Sequence, residues 1–175
     1  MMINSEDQPK NTFTHSACIA LGANLGAREW MLRRALDYLR AREDLRFVSV
    51  SSFHDTAPVG GPAGQPRYLN AAAHLMTSLS PRELLNVLLG IEKTLGRDRS
   101  SPERNQPRVI DLDVLLYDDL ILNEPGLELP HPRMHERLFV LAPLCEIAPD
   151  IFHPTRRKTI RELNADYSRQ ANATI

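Results

Sequence analysis

The chain has 175 residues, a length that suits one domain with a single sizeable core. Apolar residues make up 42% of it and charged residues 25%, a globular mixture that excludes a disordered or collagen-like protein. Because the net charge is −1, a general nucleic-acid-binding surface is not expected, and any site for a polyanion must come from local clustering of Arg and Lys.

Cys18 and Cys145 are the only cysteines, and we expect two free thiols in a reducing compartment. The first sixteen residues are polar and lack the apolar segment of a signal peptide. No apolar run is long enough to span a bilayer. The sequence therefore predicts a soluble, cytoplasmic protein that binds no membrane, with residues 1–15 as a flexible tail and residues 16–170 as one domain.

The first half of the chain alternates strand and helix patterns. An apolar run predicts a buried strand over residues 17–21, and spacings of three and four predict a helix from about 28 to 42. β-branched and aromatic residues predict a second strand over 47–53, and alternation predicts a third over 69–75. Between these two strands, three Pro and three Gly in residues 57–66 predict a loop.

A second helix is expected to begin at Ser80, which can cap it, with Pro81 in its first turn and Glu83 completing a capping box. Its buried stripe is expected to consist of Leu84, Leu88, Ile91 and Leu95, and Gly96 is placed to end it. A polar loop over 97–107 and a fourth strand over 110–116 follow. The C-terminal extension after them is interrupted by Pro130, Pro132, Pro143, Pro149 and Pro154.

This order of elements, βαββαβ, predicts an α+β fold with a ferredoxin-like core. Its antiparallel sheet would carry both helices on one face and leave the opposite face free for chemistry. Since this fold hosts many activities, function must be inferred from the residues of the site.

The pair Asp111 and Asp113 is the sharpest chemical feature. Residues two apart on a strand point the same way, so both carboxylates leave the face opposite Ile110 and Leu112. Two carboxylates on a rigid strand suit Mg²⁺, which accepts phosphate oxygens and waters as its other ligands. The alternative is that two acids simply decorate a solvated strand.

Four arginines and two acids fall within the twelve residues 97–108, which leaves a local charge of +2. Arginine forks match phosphate oxygens, so arginines beside two magnesium ligands predict a triphosphate site. A loop of this length, bounded by Gly96 and Pro107, would also close over the reaction and exclude water. An uninvolved charged loop is the alternative. The arginines are Arg97, Arg99, Arg104 and Arg108.

A third cluster could hold the acceptor of the phosphoryl group. The segment 22–26 reads Gly-Ala-Asn-Leu-Gly after the first strand, and it matches neither a Rossmann nor a P-loop motif. Asn70 offers one donor and one acceptor to the edge of a flat heterocycle, although an isolated Asn is usually an edge or turn residue. His131 would donate to a phosphate, but histidine serves many roles.

Several segments, in this order, resemble the 6-hydroxymethyl-7,8-dihydropterin pyrophosphokinase family from about residue 17 to about 163. The most specific are RVIDLD within residues 108–113 and the stretch from Pro130 to Asp150. The others are ALGANLG at 20–26, SSFHDTAPVG at 51–60, YLNAA at 68–72 and IEKTLGR at 91–97.

The resemblance implies that Asp111 and Asp113 hold two Mg²⁺ ions and that the pterin hydroxyl attacks the β-phosphorus of ATP, which releases AMP. Arg97, Arg108, Asp111 and Asp113 would then be catalytic, with Asp111 nearest to the hydroxyl proton. The implied ATP contacts are Glu92, Arg97, Arg99, Arg104, Arg108, Val114, His131 and Arg137. The implied pterin contacts are Gly22, Thr56, Ala57, Val59, Tyr68, Asn70 and Phe139.

The chain departs from the family pattern at four positions. Asn105 stands where an aromatic is common in the lid and Gln106 where glycine is usual, so the lid would seal differently over the pterin. Ala23 replaces a common serine and Ala57 a common proline.

The expected partners are pterin and ATP alone, with no nucleic acid, and we expect a monomer.

Two rival functions remain open. One is a metal-dependent nucleotidyl- or glycosyltransferase that uses Asp111 and Asp113 as its D-x-D motif. The other is a non-enzymatic ferredoxin-like module that senses a ligand or binds RNA. An RNA-binding sheet would show exposed aromatics interleaved with basic residues, whereas this sheet offers two acids.

Overall fold

The computed structural model describes residues 12–97 and 106–173. Its main sheet is antiparallel, with the strand order β2-β4-β1-β5, and β3 pairs with β4 at the end of β2. This is the predicted ferredoxin-like order. The strands are β1 (His15–Ala23), β2 (Leu45–Val50), β3 (His54–Thr56), β4 (Tyr68–Thr77) and β5 (Asp111–Tyr117).

Helices α1 (Arg28–Arg40) and α2 (Pro81–Thr94) pack on one face of this sheet, as predicted. The capping box at Ser80 forms, since its backbone N–H donates to Glu83 Oε2 at 2.8 Å and its Oγ accepts from the Glu83 N–H at 3.4 Å. Gly96 follows α2 with a φ of 85°, a conformation that favours glycine. The predicted stripe of Leu84, Leu88, Ile91 and Leu95 is buried.

The predicted boundaries need two corrections. The second strand ends at Val50 and the separate short strand β3 follows, because β4 is long enough to pair with both along one edge. His15 belongs to β1 and not to a tail, since it pairs with Thr77 and its Nδ1 lies 2.7 Å from Asp118 Oδ2.

The C-terminal part covers a portion of the second sheet face. A cluster of Cys18, Ala72, Leu115 and Leu116 on that face packs against residues of α3 and α4. The expectation that this face is wholly free is therefore wrong, because these apolar side chains require burial. The elements are the hairpin β6 (Leu122–Glu124) and β7 (Leu127–Leu129), a 3₁₀ turn (Met134–Glu136), α3 (Leu138–Ile147), β8 (Phe152–His153), β9 (Lys158–Thr159) and α4 (Ile160–Ala173).

Both cysteines are free thiols, and burial raises the pKa of Cys18 to about 12. Among the described residues, no helix is both long and apolar enough to cross a membrane.

Candidate active site

Residues of three neighbouring strands form a row at one end of the sheet, on the face opposite α1 and α2. In the sheet register, Gly22 on β1 lies between Asn70 on β4 and Asp111 on β5. Two residues along the same pair of strands, Ala20 lies opposite Asp113. Because Leu112 is buried in the core on the helical side, Asp111 and Asp113 both project from the other face, as predicted.

Gly22 leaves room for Asn70. A Cβ atom at this position would lie 3.1 Å from Asn70 Oδ1, closer than side chains normally approach. The Asn70 amide is in turn fixed from β3, since its Nδ2 donates to Thr56 Oγ1 at 2.8 Å. The side chain of Asn70 is therefore held in one orientation next to Gly22, which separates it from the strand of the two carboxylates.

Two arginines converge on Asp111. Arg108 Nη1 donates to Asp111 Oδ2 at 2.5 Å, and Arg97 Nη1 donates to the other carboxylate oxygen, Oδ1. Burial alone would lower the pKa of Arg97, but the carboxylates of Asp111 and Glu92 raise it above its usual value. Both guanidinium groups stand where an incoming phosphate could replace the carboxylate as their partner.

Glu92 ties the end of α2 to β5. Its side chain is 1% exposed, its Oε1 accepts the backbone N–H of Leu112 at 2.7 Å, and Arg97 donates to the same oxygen. Glu92 thereby fixes the orientation of Arg97. The direct contact with the nucleotide that the resemblance implies for Glu92 stays a prediction.

Burial and neighbouring carboxylates both disfavour the ionised form of Asp113. Burial, followed by the charges of Asp111 and Glu92, raises the pKa of Asp113 to about 7. A divalent cation is what such a set of carboxylates accommodates. Within residues 12–97 and 106–173, no group of three or more His, Cys, Asp or Glu side chains could hold a metal. Two carboxylates on one strand face are a ligand set that suits Mg²⁺, because this ion takes its remaining ligands from phosphates and water.

A cavity of about 710 Å³ opens beside Asp113, at the outer edge of β5. Apolar walls come from Leu85 on α2, Val114 on β5 and Leu127 on β7, and His131 lies at the rim. The resemblance implied ATP contacts for Val114 and His131, whereas Leu85 and Leu127, which line the same cavity, were not assigned from the sequence. Helical periodicity shows which residues of α2 are buried, but not which loop packs across them.

His131 is a neutral donor in this cavity. Burial, with the charges of Arg137 and Arg133, lowers the pKa of His131 to about 4. The Arg133 backbone N–H donates to His131 Nδ1 at 3.2 Å, so the neutral ring carries its proton on Nε2. Burial also lowers the pKa of Arg137, whose Cζ lies 5.6 Å from the centre of the Phe139 ring.

The predicted pterin contacts are only partly assembled. Gly22, Thr56, Tyr68 and Asn70 lie together at the ends of β1, β3 and β4. Burial raises the pKa of Tyr68, and Arg108 approaches its hydroxyl. Ala57 is exposed and Val59 is 70% exposed on the following loop, so their contacts stay predictions. Phe139 packs on the α3 side of the sheet.

Arg99 and Arg104 lie outside the described residues, as does Asn105. Asn24 is a further residue that sequence reasoning did not assign. It is 1% exposed and hydrogen-bonds to two other segments of the site. Its place between Gly22 and Gly26 was the only signal in the sequence.

Known proteins match most of the chain. A profile of the 7,8-dihydro-6-hydroxymethylpterin-pyrophosphokinase family matches residues 18–149. A 2-amino-4-hydroxy-6-hydroxymethyldihydropteridine pyrophosphokinase of Bacillus subtilis is 46% identical over 135 residues, which are 77% of this chain and 79% of that protein. The enzyme of the same name from Pseudomonas aeruginosa is 42% identical over 139 residues, 79% of this chain and 84% of that protein.

The fold is shared with a solved structure of wild-type Plasmodium falciparum HPPK-DHPS. The TM-score is 0.69 at 15% identity, with 91% of this chain covered. The chain spans 46% of that longer protein, so the likeness concerns one part of it and shows the fold alone.

Proposed function

The chain belongs to the 7,8-dihydro-6-hydroxymethylpterin-pyrophosphokinase family, and we propose that Asp111 and Asp113 are the magnesium ligands with which it acts on ATP. As a member of this family it transfers pyrophosphate from ATP to the hydroxymethyl group of hydroxymethyldihydropterin in folate biosynthesis. The single observation that carries the assignment of residues is the row Asn70, Gly22, Asp111, which places a neutral amide one strand away from the acid pair, across Gly22.

The metal site takes two ions in this proposal. Asp111 and Asp113 project from one face, and the pKa of Asp113 is raised by burial first and then by the charges of Asp111 and Glu92, which a cation would offset. Magnesium, when bound with ATP, neutralises the bridging phosphate oxygens and stabilises the charge that develops during transfer.

Arg97 and Arg108 hold the phosphates. Both bind Asp111, so their forks are already placed beside the acid pair. With magnesium held by Asp111, the two guanidinium groups would donate to phosphate oxygens, for which their geometry is suited. Arg99 and Arg104 are proposed as further phosphate contacts, and Glu92 keeps Arg97 in place.

The cavity at the edge of β5 is the proposed site of the nucleotide base and ribose. Its apolar walls suit a flat ring, and Asp113 lies at the end where the phosphates would lead to the acid pair. His131 donates through Nε2 without carrying charge, and Arg137 adds a cation on the same side.

The acceptor pocket lies across the row from the phosphates. Asn70 hydrogen-bonds to the edge of the pterin, and Gly22 lets the ring approach the sheet because it has no side chain. Thr56 orients Asn70, while Tyr68 borders the pocket and Phe139 is proposed to stack on the ring. Ala57 and Val59 are proposed to contact it from the loop.

The transfer itself requires alignment more than proton abstraction. The pterin hydroxyl oxygen forms a bond to the β-phosphorus, the bond from that phosphorus to the oxygen of the α-phosphate breaks, and AMP leaves. The hydroxyl proton is released, with Asp111 as the nearest carboxylate acceptor. Holding both substrates on adjacent strands supplies the orientation on which the rate depends.

The direct test is identification of the products. Purified protein with ATP, Mg²⁺ and 6-hydroxymethyl-7,8-dihydropterin should release AMP and the pterin diphosphate in equal amounts. Release of ADP, or AMP release that does not require the pterin, would contradict the proposal.

We further propose that the protein works as a cytoplasmic monomer. The two free thiols suit a reducing compartment. Light scattering should give a mass near 19.8 kDa, and a mass near twice that value would contradict the monomer.

A further inference from the structure

The proline- and glycine-rich loop over residues 57–66, which borders the acceptor pocket, is held at its base by an exposed clamp. Arg28 Nη1 donates to the Arg67 carbonyl at 2.7 Å, and its Nη2 lies 3.3 Å from Asp55 Oδ2. Arg67 Nε donates to Asp55 Oδ1 at 2.5 Å. These contacts join the two ends of the loop to the start of α1, and none of them reaches the phosphate side of the site.

A second attachment on the inner side of this loop runs through Asn24. Its side chain Nδ2 donates to Gln65 Oε1 at 3.4 Å and to the Pro66 carbonyl at 3.3 Å. Gln65 in turn accepts from the Tyr68 hydroxyl at 3.3 Å and donates to the Gly60 carbonyl at 3.1 Å. Asn24 is thus connected to the loop and to a residue of the acceptor pocket.

The other end of the same amide binds the phosphate side. Asn24 Oδ1 accepts the backbone N–H of Arg108 at 2.7 Å, and the Asn24 N–H donates to the Arg108 carbonyl at 3.0 Å. The Arg108 side chain then donates to Asp111 at 2.5 Å. One buried amide therefore lies between the loop that borders the acceptor and the arginine that holds a phosphate.

We propose that Asn24 is a positioning residue that couples the binding of the pterin to the binding of the nucleotide. This inference rests on the proposed function. Nucleotide binding moves Arg108 toward the phosphates. The two hydrogen bonds between Asn24 and the Arg108 backbone then displace Asn24, and the hydrogen bonds from Asn24 Nδ2 displace Gln65 and Pro66. The coupling is reciprocal, so occupancy of the acceptor pocket strengthens nucleotide binding by the same factor.

An amide is required at this position because it must accept and donate at once. An aspartate would keep the oxygen that accepts from Arg108 but would turn a second oxygen toward the Pro66 carbonyl and Gln65 Oε1. Asn24→Asp therefore separates the two connections, since the bond to Arg108 is retained and the bonds to the loop are lost.

The experiment measures the pterin Kd with and without a non-hydrolysable ATP analogue and Mg²⁺. In the unaltered protein the analogue should tighten pterin binding. In Asn24→Asp this tightening should fall by about tenfold, the usual consequence of losing hydrogen bonds from a buried group. Asp55→Asn loosens the same loop at its exposed clamp, and should weaken pterin binding equally with and without the analogue.

Gln65→Ala gives a second test if Asn24→Asp does not fold, and it should reduce the tightening by a smaller factor. The inference is overturned if the unaltered protein shows no tightening, if the Asn24 or Gln65 variant keeps it in full, or if Asp55→Asn loses it to the same degree. Pterin-dependent AMP release by the unaltered protein is measured in parallel. Its absence would refute the proposed function, whereas normal release with unchanged coupling in the variants would refute only the role of Asn24.

Discussion

Two regions of the site share the same strand ends but use opposite chemistry. The phosphate region consists entirely of ionisable side chains: Asp113, together with Glu92, Arg97, Arg108 and Asp111, which are joined by short ion pairs. The acceptor region, made of Gly22, Thr56, Tyr68 and Asn70, has no ionised group and is held by neutral hydrogen bonds. The difference follows the substrates, because a triphosphate with metal needs compensating charge and a flat heterocycle needs fixed donors and acceptors. Variants in one region should therefore leave unchanged the affinity for the other region's substrate when that substrate binds alone.

The largest effect should come from Asp113→Ala. Loss of a magnesium ligand should lower kcat by at least about a thousandfold at saturating Mg²⁺, while the pterin Kd stays within about threefold. Asp119→Ala, which removes an exposed carboxylate just after β5, is the matched control and should behave as the unaltered protein. Near-normal turnover by Asp113→Ala would refute the metal role.

Asn70→Ala should have the converse effect. Removing the amide that faces the pterin should raise the pterin Kd by about tenfold to a hundredfold, and nucleotide binding measured by calorimetry should not change. Asn86→Ala removes an exposed amide from α2 and serves as the control. Equal losses for both substrates would show that the two regions are not separable.

Gly22→Ala tests the boundary between the acceptor region and the phosphate region. The new methyl group would lie 3.1 Å from Asn70 Oδ1 and must displace it by a few tenths of an ångström. We expect a rise in pterin KM of about threefold to tenfold with little change in kcat. Gly90→Ala, where a Cβ meets nothing within 4 Å, should leave the kinetics unchanged.

The smallest effect concerns the pH dependence through His131. Since burial lowers the pKa of His131 from 6.5 to about 4, the ring is neutral throughout the range from pH 5.5 to 8. The pH profile of kcat/KM should therefore show no inflection near pH 6.5 that is due to His131. His131→Gln should leave the shape of the profile in this range unchanged. Protonation favours the unfolded state between these two pKa values, so this residue's contribution to stability should decline as pH falls from 6.5 toward 4.

The core elements and the acid pair were predictable from the sequence because each depends on local pattern. Helical spacing gave α1 and α2, the Ser80 motif gave a cap, and alternation placed Asp111 and Asp113 on one face. The packing of α3 and α4 on the face opposite α1 and α2 was not predictable. Helix α3 contains Pro143 and is apolar on most sides, so its periodicity shows no single buried stripe. The resemblance supplied the roles of Thr56 and Val114, which no spacing rule distinguishes from ordinary strand residues.

The network at Asn24 shows where sequence reasoning stops. The motif 22–26 was noticed as a turn, but its function depends on Gln65 and Arg108, which lie 41 and 84 residues away along the chain. Only the folded arrangement brings these three segments to one buried amide.

The role of Asp113 in binding magnesium can be measured by calorimetry. A non-hydrolysable ATP analogue is titrated into the unaltered protein and into Asp113→Ala, each with Mg²⁺ and with the metal removed by chelation. We expect magnesium to strengthen binding to the unaltered protein by a large factor, and this factor to be nearly lost in the variant. The same dependence on magnesium in both proteins would show that Asp113 is not a magnesium ligand.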